Sequence, residues 1–335
     1  MLLSRLSFKI MTKNILITGG AGYIGSHVIE VLIKNKKKIF IIDNLSTGFK
    51  KLINKKASFY NLNILNTAKL RKIILEKNID SVIHLAASLS IGIGEKQPKL
   101  YFKNNVLGTK SLLNACKNST VKNIIFSSTA AVYKDKQKIV NEKSKISPKS
   151  VYGKTKLKAE KIIIACCDKL KINYGILRYF NVCGASPSGN IGLISKADHL
   201  FKNIAIEIMK KKPSVKIYGN DYNTPDGTTI RDYIHVADLA VIHHKILKNI
   251  STSKKSKILN CGYNRGVSVK QVVDEFKKQA KKEVKVNFLS RRAGDMEMII
   301  ANNRNLIKLL NWKPKYNKLS TIVRSCIKWE KSINN

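Results

Sequence analysis

The sequence lacks any uninterrupted run of about 18 apolar residues, so it predicts no membrane-spanning helix. Its first residues also lack the pattern of a secretory signal, because Arg5 and Lys9 interrupt the apolar stretch and no small-residue cleavage site follows. Met11 is an alternative start, since a strand-like segment begins at Asn14. We therefore interpret residues 1–11 as an extension without a function, and we expect a cytoplasmic protein with no membrane partner.

Cysteine and histidine do not occur in the patterns of a disulfide framework or a metal site. The six cysteines are Cys116, Cys166, Cys167, Cys183, Cys261 and Cys326. None forms a Cys-x-x-Cys pair, and most lie in apolar surroundings. The histidines His243 and His244 are adjacent on a predicted helix, where neighbours do not share a face. The sequence therefore predicts buried, reduced thiols and no metal ion.

Acidic residues are scarce, since 21 Asp and Glu stand against 63 Lys and Arg and give a net charge of +42. A DNA-binding protein usually concentrates basic residues on one face or one recognition helix. Here lysines recur along nearly every surface segment, from residues 34–38 to residues 281–282, together with an excess of Asn and Ile. This pattern is typical of a coding bias. We expect no specific nucleic-acid partner, only weak, salt-sensitive attraction to polyanions.

Short apolar, β-branched runs alternate with segments of helical length. Strands are predicted at residues 14–18, 38–42, 58–62, 81–85, 123–127, 174–180 and 257–260. Helices are predicted at residues 23–34, 67–77, 106–117, 152–168 and 235–248. Fully apolar strands that alternate with helices indicate a parallel sheet covered on both faces. Residues 183–232 are instead rich in Gly, Pro, Asn and Asp and indicate a second, smaller lobe.

The first predicted strand ends in a glycine-rich turn that leads directly into a helix. Gly19, Gly22 and Gly25 keep a three-residue spacing, which allows a tight turn and close approach of the backbone to a pyrophosphate. Asp43 closes the second strand, where a carboxylate meets the ribose hydroxyls of an adenosine and repels a 2′-phosphate. The sequence therefore predicts a bound NAD rather than NADP.

These features predict an α/β fold with a Rossmann-like, doubly wound parallel sheet and a smaller, discontinuous C-terminal substrate-binding lobe. We assign residues 12–182 and about 233–264 to the NAD-binding domain. Residues from about 183 to 232 and 265 to 335 form the second lobe, at the carboxyl ends of the strands. Open α/β sheets bind their ligands in that crevice.

Tyr152 is followed four residues later by Lys156, so both side chains rise from one face of the predicted helix. An ammonium beside a phenol favours the phenolate, and we expect it to lower the pKa of Tyr152 from its usual value of about 10. Thr129 follows the fifth strand and brings a hydroxyl to the same edge of the sheet. A threonine, tyrosine and lysine in this arrangement indicate a general base that works beside a dinucleotide.

With these motifs the chain resembles the extended short-chain dehydrogenase/reductase family, and within it the UDP-hexose 4-epimerases. The resemblance covers about residues 13–315. The general marks are the glycine turn, Asn104-Asn-Val106, Thr129 and the Tyr152/Lys156 pair. The more specific marks are Arg178-Tyr-Phe-Asn181, Gly219-Asn-Asp-Tyr222, Arg231-Asp-Tyr-Ile-His235 and Arg291-Arg-x-Gly-Asp295. Related sugar-nucleotide 4,6-dehydratases carry an acidic residue after the hydroxyl, whereas this chain has Ala130, so dehydration is not expected.

The resemblance implies a set of contacts on each side of the crevice. The catalytic residues are Thr129, Tyr152 and Lys156. The cofactor-binding residues are Gly19, Gly22, Tyr23, Ile24, Gly25, Asp43, Asn44, Asn63, Ile64, Leu85, Ala86, Ala87, Asn104, Tyr152, Lys156 and Phe180. The substrate-binding residues are Thr129, Tyr152, Asn181, His199, Leu200, Lys216, Tyr218, Arg231, Arg292, Asp295 and Ile299. Arg231 and Arg292 would bind the diphosphate, which matches the chemistry of arginine.

The chain departs from better-known members at several of these positions. Asn63 replaces an aspartate that faces the adenine, and Leu89 stands where some members have a lysine. His199 replaces an asparagine near the uridine, while Val182 and Cys183 interrupt an Asn-Pro-x-Gly rhythm. These departures bear on how tightly the cofactor is held. Ile299 falls where side-chain bulk gates N-acetylated sugars, and its intermediate size leaves the preferred sugar open.

The resemblance implies NAD-dependent epimerisation at C4 of a UDP-hexose through a transient 4-keto sugar, in a helix-mediated homodimer. Tyr152 would take the proton of the sugar 4-hydroxyl, and the ketose would turn about its diphosphate before the hydride returns. One alternative is a 4-epimerase for UDP-N-acetylglucosamine or another UDP-sugar. A dehydrogenase or reductase that releases NADH is a second, and a non-catalytic binding protein is a third.

Overall fold

The structure is a computed structural model, and it describes residues 13–195, 199–292 and 294–334. The strands are β1 (Asn14–Thr18), β2 (Lys38–Asp43), β3 (Ser58–Asn61), β4 (Ser81–His84), β5 (Asn123–Thr129), β6 (Ile139–Val140), β7 (Asn173–Tyr179), β8 (Asn181–Cys183), β9 (Ser214–Tyr218), β10 (Ile230–His235), β11 (Lys257–Cys261), β12 (Gly266–Ser268), β13 (Lys285–Leu289) and β14 (Met298–Ala301). The α-helices are α1 (Tyr23–Lys34), α2 (Thr67–Glu76), α3 (Ile91–Lys96), α4 (Pro98–Tyr101), α5 (Gly108–Cys116), α6 (Val151–Leu170), α7 (Leu200–Ile208), α8 (Val236–Ser253), α9 (Val269–Ala280), α10 (Arg304–Leu310) and α11 (Leu319–Asn334). One-turn 3-10 helices cover Lys50–Leu52 and Ala130–Val132, and a π-helical segment covers Phe102–Leu107.

The main sheet has seven strands in the order β11-β7-β5-β4-β1-β2-β3, all parallel. The predicted strands are confirmed, with ends that differ by no more than two residues. The order of connection reverses between β1 and β4, which makes this pair the switch point of a doubly wound sheet. The crevice of the fold therefore opens beyond Thr18 and His84, where these two strands end.

The apolar character of the strands follows from burial on both faces. In β1, Ile15 and Ile17 pack into the core beneath α1 and α8, whereas Leu16 faces the core beneath α2, α5 and α6. This alternation is the two-residue period of a strand, and helices on both sides exclude polar residues from either face. The predicted α/β fold with a covered parallel sheet is therefore confirmed.

The second lobe is built from short strands that are far apart in the chain. One sheet has the order β12-β10-β14-β6, with β8 added on β10, and a separate pair joins β13 to β9. Helices α7, α9 and α11 share a core with these strands, which includes Phe201, Phe276 and Val323. The sequence patterns did not predict this sheet, because strands of two to six residues carry little periodicity.

The chain crosses between the two lobes more often than the predicted boundaries imply. Strand β10 lies in the small sheet, although its last residues fall within the range assigned to the NAD-binding domain. Helix α10 lies in the range assigned to the second lobe, yet Leu306 and Leu310 pack into the core of the main sheet. The domain boundaries given above therefore remain a proposal.

All six cysteines are free thiols, and five of them are buried. Among the described residues, no group of three or more His, Cys, Asp or Glu side chains could hold a metal ion. No helix in the described ranges is long and apolar enough to cross a membrane.

Several histidines are buried as neutral rings. Burial lowers the pKa of His27 and His243 to about 4, and that of His84 and His235 to about 3. The Tyr179 hydroxyl lies 2.6 Å from His243 Nε2, and His243 Nδ1 lies 2.8 Å from the carbonyl of Leu239. An unfolded chain protonates these rings near pH 6.5 and the folded chain does not, so each ring favours unfolding as the pH falls below that value.

We predict a pH-dependent stability difference between the wild type and His243→Gln, which keeps a polar partner for Tyr179. The advantage of the wild type should shrink by about 1.4 kcal/mol per pH unit between pH values of about 6 and 4. Asp232, whose pKa burial raises to about 6, titrates with the opposite sign but cancels in the comparison. Urea unfolding at a series of pH values measures the difference. A constant difference would show that His243 is protonated in the folded state.

Candidate active site

The glycine turn forms a narrow backbone cradle between β1 and α1. Gly19 has a φ of 74°, and a Cβ there would lie 2.7 Å from the backbone nitrogen of Ala86. A Cβ on Gly25 would lie 2.4 Å from the carbonyl oxygen of Gly19. Gly22 is the N-cap of α1 and supplies no side chain, so the first N–H groups of the helix are left for a ligand. The cradle fits a pyrophosphate.

Asp43 is buried at the carboxyl end of β2, beside the cradle. Its two carboxylate oxygens accept hydrogen bonds from the backbone nitrogens of Ala21 at 3.0 Å and Leu45 at 2.8 Å. Burial raises the pKa of Asp43, against the effect of these two bonds. The carboxylate therefore braces the turn while it retains lone pairs that a ribose hydroxyl could use.

The remaining residues predicted for the adenosine end follow β2 and β3. Asn44 binds the side chain of Ser46, and Asn63 accepts a hydrogen bond from the backbone of Leu65 at 2.9 Å. Both side chains are exposed. Ile64 packs closely against Gly108 at the start of α5, where a Cβ would lie 2.4 Å from the Ile64 side chain.

The floor of the crevice is a hydrogen-bonded chain through His84. Its Nδ1 lies 2.7 Å from Thr18 Oγ1, and its Nε2 lies 3.0 Å from Thr109 Oγ1. Thr109 donates its own proton to the carbonyl of Asn105, so His84 Nε2 is the donor to Thr109 and Nδ1 accepts from Thr18. Leu85 and Ala86 follow directly, and their backbone nitrogens donate to Thr18. This chain fixes the ends of β1 and β4 relative to each other.

The π-helical segment carries two successive asparagines that bond to Ser88, in the segment after β4. Asn104 donates to Ser88 Oγ at 2.9 Å, while Asn105 accepts from the Ser88 nitrogen at 2.8 Å and donates to Thr155 Oγ1 at 3.0 Å. π-helical turns are rare and occur mostly at functional sites. The sequence predicted that a helix begins at Val106 and that Asn104 contacts the cofactor. It did not indicate the π-helical turn or the hydrogen bond from Asn105 to Thr155 on α6.

Close packing at the start of α6 brings Tyr152 to Thr129. Ser150 caps the helix by accepting a hydrogen bond from the nitrogen of Gly153 at 3.1 Å. A Cβ on Gly153 would lie 2.5 Å from the carbonyl of Ala131, so only glycine allows the helix to lie this close to the turn after β5. The structure thus brings together the hydroxyls of Thr129 and Tyr152.

The expected lowering of the Tyr152 pKa is wrong for this structure. Burial raises the pKa of Tyr152 to about 12, and the nearby Thr129 hydroxyl opposes this only in part. Lys156 makes no hydrogen bond to the phenol, and its ammonium lies 3.4 Å from Ser127 Oγ and 4.2 Å from the ring centre of Phe126. Burial lowers the pKa of Lys156 to about 7. Helical spacing placed both residues on one helix, but it carried no information about burial.

Several predicted substrate residues of the second lobe gather around Arg292 and Asp295. The guanidinium of Arg292 lies 3.9 Å from the ring centre of Tyr218, at the end of β9. Arg231 lies 3.7 Å from the carboxylate of Asp295, whose backbone nitrogen donates to Arg292. Arg292, with Arg231 from β10 and the ring of Tyr218 from β9, presents a set of groups that can bind a nucleoside diphosphate.

Two predicted binding residues are already engaged with the protein. His199 Nε2 donates to the carbonyl of Val182 at 2.7 Å, and its Nδ1 caps α7 by accepting from Lys202 at 3.4 Å. The Tyr23 hydroxyl donates to the carbonyl of Gly184 at 2.6 Å. The Tyr23 hydroxyl therefore joins α1 to the segment after β8, whereas His199 holds α7 against β8 within the second lobe. Both ring nitrogens of His199 are occupied by these bonds.

The other predicted positions are distributed along the crevice and its walls. Phe180 and Ile299 are buried in one apolar cluster with Ala130. Asn181 is exposed on β8, Leu200 begins α7, and Lys216 is exposed on β9. Ile24 and Ala87 are partly exposed.

Glu160 and Arg178 form a buried ion pair beneath the site, and sequence reasoning did not assign a role to either residue. The ion pair interacts electrostatically with Lys156, because the Glu160 carboxylate raises the pKa of the Lys156 ammonium. A signal was present, because Glu160 follows Lys156 by four residues on the same helix.

A dinucleotide cradle at the switch point, with a tyrosine and a lysine on the next wall, defines a dinucleotide-dependent α/β enzyme. Residues 15–262 match the model of the NAD dependent epimerase/dehydratase family. The chain belongs to this family.

Individual relatives match nearly the whole chain. UDP-glucose 4-epimerase from Lactobacillus helveticus is 37% identical over 321 residues, which cover 95% of this chain and 97% of the relative. The crystal structure of UDP-glucose 4-epimerase from Stenotrophomonas maltophila, with bound NAD and formylated UDP-arabinopyranose, has a TM-score of 0.92 at 31% identity and covers 96% of this chain and 99% of that one. The UDP-Glc/GlcNAc 4-epimerase from Campylobacter jejuni has a TM-score of 0.83 at 34% identity, with coverage of 96% and 99%.

We predict that Gly25→Ala weakens NAD binding about tenfold or more, because the new methyl group collides with the Gly19 carbonyl and opens the cradle. Titration with NAD, followed by calorimetry, measures the change. Gly92→Ala is the matched control, since a Cβ at that exposed position meets no atom within 4 Å. Equal affinities in the two variants would contradict the assignment of the cradle.

Proposed function

We propose that the protein catalyses NAD-dependent epimerisation at C4 of a UDP-hexose and interconverts UDP-glucose and UDP-galactose through a transient 4-keto sugar. The observation that carries this proposal is the meeting of Thr129 and Tyr152 at the carboxyl edge of the sheet, across the switch point from the glycine cradle. Full-length similarity to proteins named UDP-glucose 4-epimerase supports the same reaction.

The residues around the cradle fit NAD. The glycine turn leaves room for a pyrophosphate, and Asp43 offers carboxylate lone pairs to ribose hydroxyls and a charge that repels a 2′-phosphate. Bound there, NAD supplies a hydride acceptor that can also return the hydride. The full set of cofactor and substrate contacts given above remains a proposal, and the Tyr23 hydroxyl and the ring nitrogens of His199 already bond within the protein.

The residues of the chain divide the remaining work between them. Tyr152 accepts the proton of the sugar 4-hydroxyl and returns it after the sugar has turned. Thr129 donates a hydrogen bond to the same sugar oxygen and stabilises the developing ketone. Arg231 and Arg292 bind the diphosphate, which leaves the hexose free to rotate about that tether. Because burial raises the pKa of Tyr152, proton transfer requires positive charge close to its hydroxyl.

The identity of the sugar is the second part of the proposal. Ile299 is 3% exposed and packs in the cluster with Phe180, so it forms a wall of intermediate bulk. An N-acetylated hexose is the alternative substrate, and the similarity to a UDP-Glc/GlcNAc 4-epimerase keeps it in view. Parallel assays with UDP-galactose and UDP-N-acetylgalactosamine separate the two.

A dehydrogenase that releases NADH is the remaining enzymatic alternative. It would accumulate the absorbance of reduced nicotinamide in proportion to product, whereas an epimerase accumulates none. A non-catalytic binding protein would show neither product, and the assembled threonine, tyrosine and lysine argue against it.

Tyr152→Phe should lower kcat by three orders of magnitude or so with UDP-galactose, because no group replaces the phenol oxygen as proton acceptor. Binding of NAD should stay within about twofold of the wild type, since Phe keeps the ring. Coupled detection of UDP-glucose measures kcat. Tyr174→Phe, at the opposite end of the main sheet, is the matched control and should keep full activity. Substantial turnover by Tyr152→Phe would refute the mechanism.

We further propose a cytoplasmic homodimer that pairs through the surface formed by α3, α4 and the π-helical segment. This surface exposes Ile91, Ile93, Leu100, Phe102 and Leu107, which form a run of apolar side chains beside α6. Apolar surface of this kind marks a protein interface. The surface lies next to the helix that carries Tyr152, so pairing there would also brace the site.

Ile93→Glu should convert a dimer into a monomer, because the interface would bury an unpaired carboxylate. Sedimentation velocity measures the molecular mass in solution. Ile307→Glu is the control, since Ile307 is similarly exposed but lies on α10. A wild-type monomer, or a dimer that Ile93→Glu leaves intact, would contradict the proposed interface.

A further inference from the structure

Three buried charged side chains lie on the helix that carries Tyr152 and on the strand beside it. Lys156 and Glu160 extend from α6, and Arg178 extends from β7. Each is at most 2% exposed, so water screens their charges poorly. Two of the three are cations, and the group therefore keeps one unmatched positive charge if all are ionised.

Arg178 occupies both oxygens of the Glu160 carboxylate. Its Nε lies 3.0 Å from Oε1 and its Nη2 lies 2.8 Å from Oε2, which is a bidentate pair. Ser128 also donates a hydrogen bond to Oε1 of Glu160. The carboxylate is thus held on the side of β5 and β7.

Further contacts fix the guanidinium itself. Arg178 Nη1 donates to the Tyr133 hydroxyl at 3.1 Å and to the carbonyl of Glu142 at 3.4 Å. Tyr133 in turn donates to Asn260 Oδ1 at 2.6 Å. Arg178 therefore cannot leave Glu160 without breaking several buried hydrogen bonds.

Lys156, by contrast, has no carboxylate partner. No described Asp or Glu oxygen lies within 4.0 Å of its ammonium, which contacts Ser127 and the face of Phe126 instead. Glu160 is four residues away on the same helix, a spacing at which glutamate and lysine normally pair. The pairing of Glu160 with Arg178 is what leaves the Lys156 charge uncompensated.

We propose that Arg178 is a positioning residue that holds Glu160 away from Lys156, so that the Lys156 ammonium keeps a net positive charge for Tyr152. This inference rests on the proposed role of Tyr152 as proton acceptor. Without Arg178, Glu160 turns to Lys156, the buried charge falls to zero, and the tyrosinate loses its electrostatic support.

Five other titratable groups face these side chains, and among them only Glu142 brings a carboxylate, which acts on Tyr133. They are His84 from β4, Tyr101 from α4, Tyr133 after β5, Tyr179 from β7 and Glu142 after β6. Burial keeps the His84 ring neutral and raises the pKa of the three tyrosines. The Glu142 carboxylate binds the Asn260 nitrogen and the Asn305 side chain, and it presents only its backbone carbonyl to Arg178.

Charge-neutralising variants test the proposal through the sign of a shift. Arg178→Gln removes one cation and should move the acid limb of the kcat profile to higher pH by about one unit, a tenfold loss of kcat below the limb. Glu160→Gln removes the anion and should move the limb to lower pH. The double variant Arg178→Gln/Glu160→Gln restores one unmatched cation and should return the limb close to the wild-type position.

Ionisation of Tyr152 is followed independently of turnover, by the ultraviolet absorbance of tyrosinate against the same variant carrying Tyr152→Phe. The titration should shift in the same directions. A role in packing alone predicts that the double variant is at least as impaired as either single variant, with no shift of opposite sign, and that result would overturn the proposal.

Arg178→Lys, which keeps the charge, should keep the acid limb in place even where thermal stability falls. If Arg178→Gln does not fold, the other two variants still test the proposal. It is overturned if the acid limb moves in Arg178→Lys or if the limb stays fixed in Glu160→Gln.

Failure of the role proposed for Arg178 can be told apart from failure of the proposed function. If the wild type does not epimerise a UDP-hexose, the proposed function fails, while the tyrosinate titration still reports the charge effect. If the wild type is active and Tyr152→Phe is not, yet the double variant shows no recovery of the limb, only the role of Arg178 fails.

Discussion

The site depends on a buried lysine ammonium that lies one helical turn from a buried phenol. Lys156 is 1% exposed, and its ammonium contacts the Ser127 hydroxyl and the face of the Phe126 ring. Burying an unpaired ammonium is costly, so the surrounding structure must hold it in place. The turn after β5, the close approach at Gly153 and the ion pair between Glu160 and Arg178 all serve this arrangement.

The doubly wound sheet provides the second half of the same geometry. The glycine cradle follows β1, and the tyrosine and lysine lie beyond β5, so a ligand in the crevice between β1 and β4 lies between them. Hydrogen bonds through His84, Thr109, Asn105 and Thr155 connect the two sides directly. The second lobe adds Arg231 and Arg292, which we propose as the residues that bind the diphosphate. A sugar on such a tether can present either face to one fixed hydride acceptor, which is what a 4-epimerase requires.

The sequence predicted the elements of the main sheet because their patterns are local. Local sequence patterns are enough to identify the glycine spacing, the apolar strands and the pair Tyr152 and Lys156. It did not predict the direction of the Tyr152 pKa, since burial depends on residues from distant elements such as Tyr101. It also missed the small sheet and the π-helical segment, because both are imposed by tertiary packing. The sequence marked Arg178 only as part of a motif. Its ion pair with Glu160 depends on the packing of β7 against α6, which no local pattern encodes.

The central claim is that oxidation at C4 is transient and that the same hydride returns to the sugar. UDP-galactose deuterated at C4, converted by the wild-type protein in ordinary water, tests it directly. Nuclear magnetic resonance of the UDP-glucose formed should show the deuterium retained at C4, because the hydride never exchanges with solvent. Replacement of that deuterium by solvent hydrogen would contradict the account, since it would require removal of the C4 hydrogen as a proton.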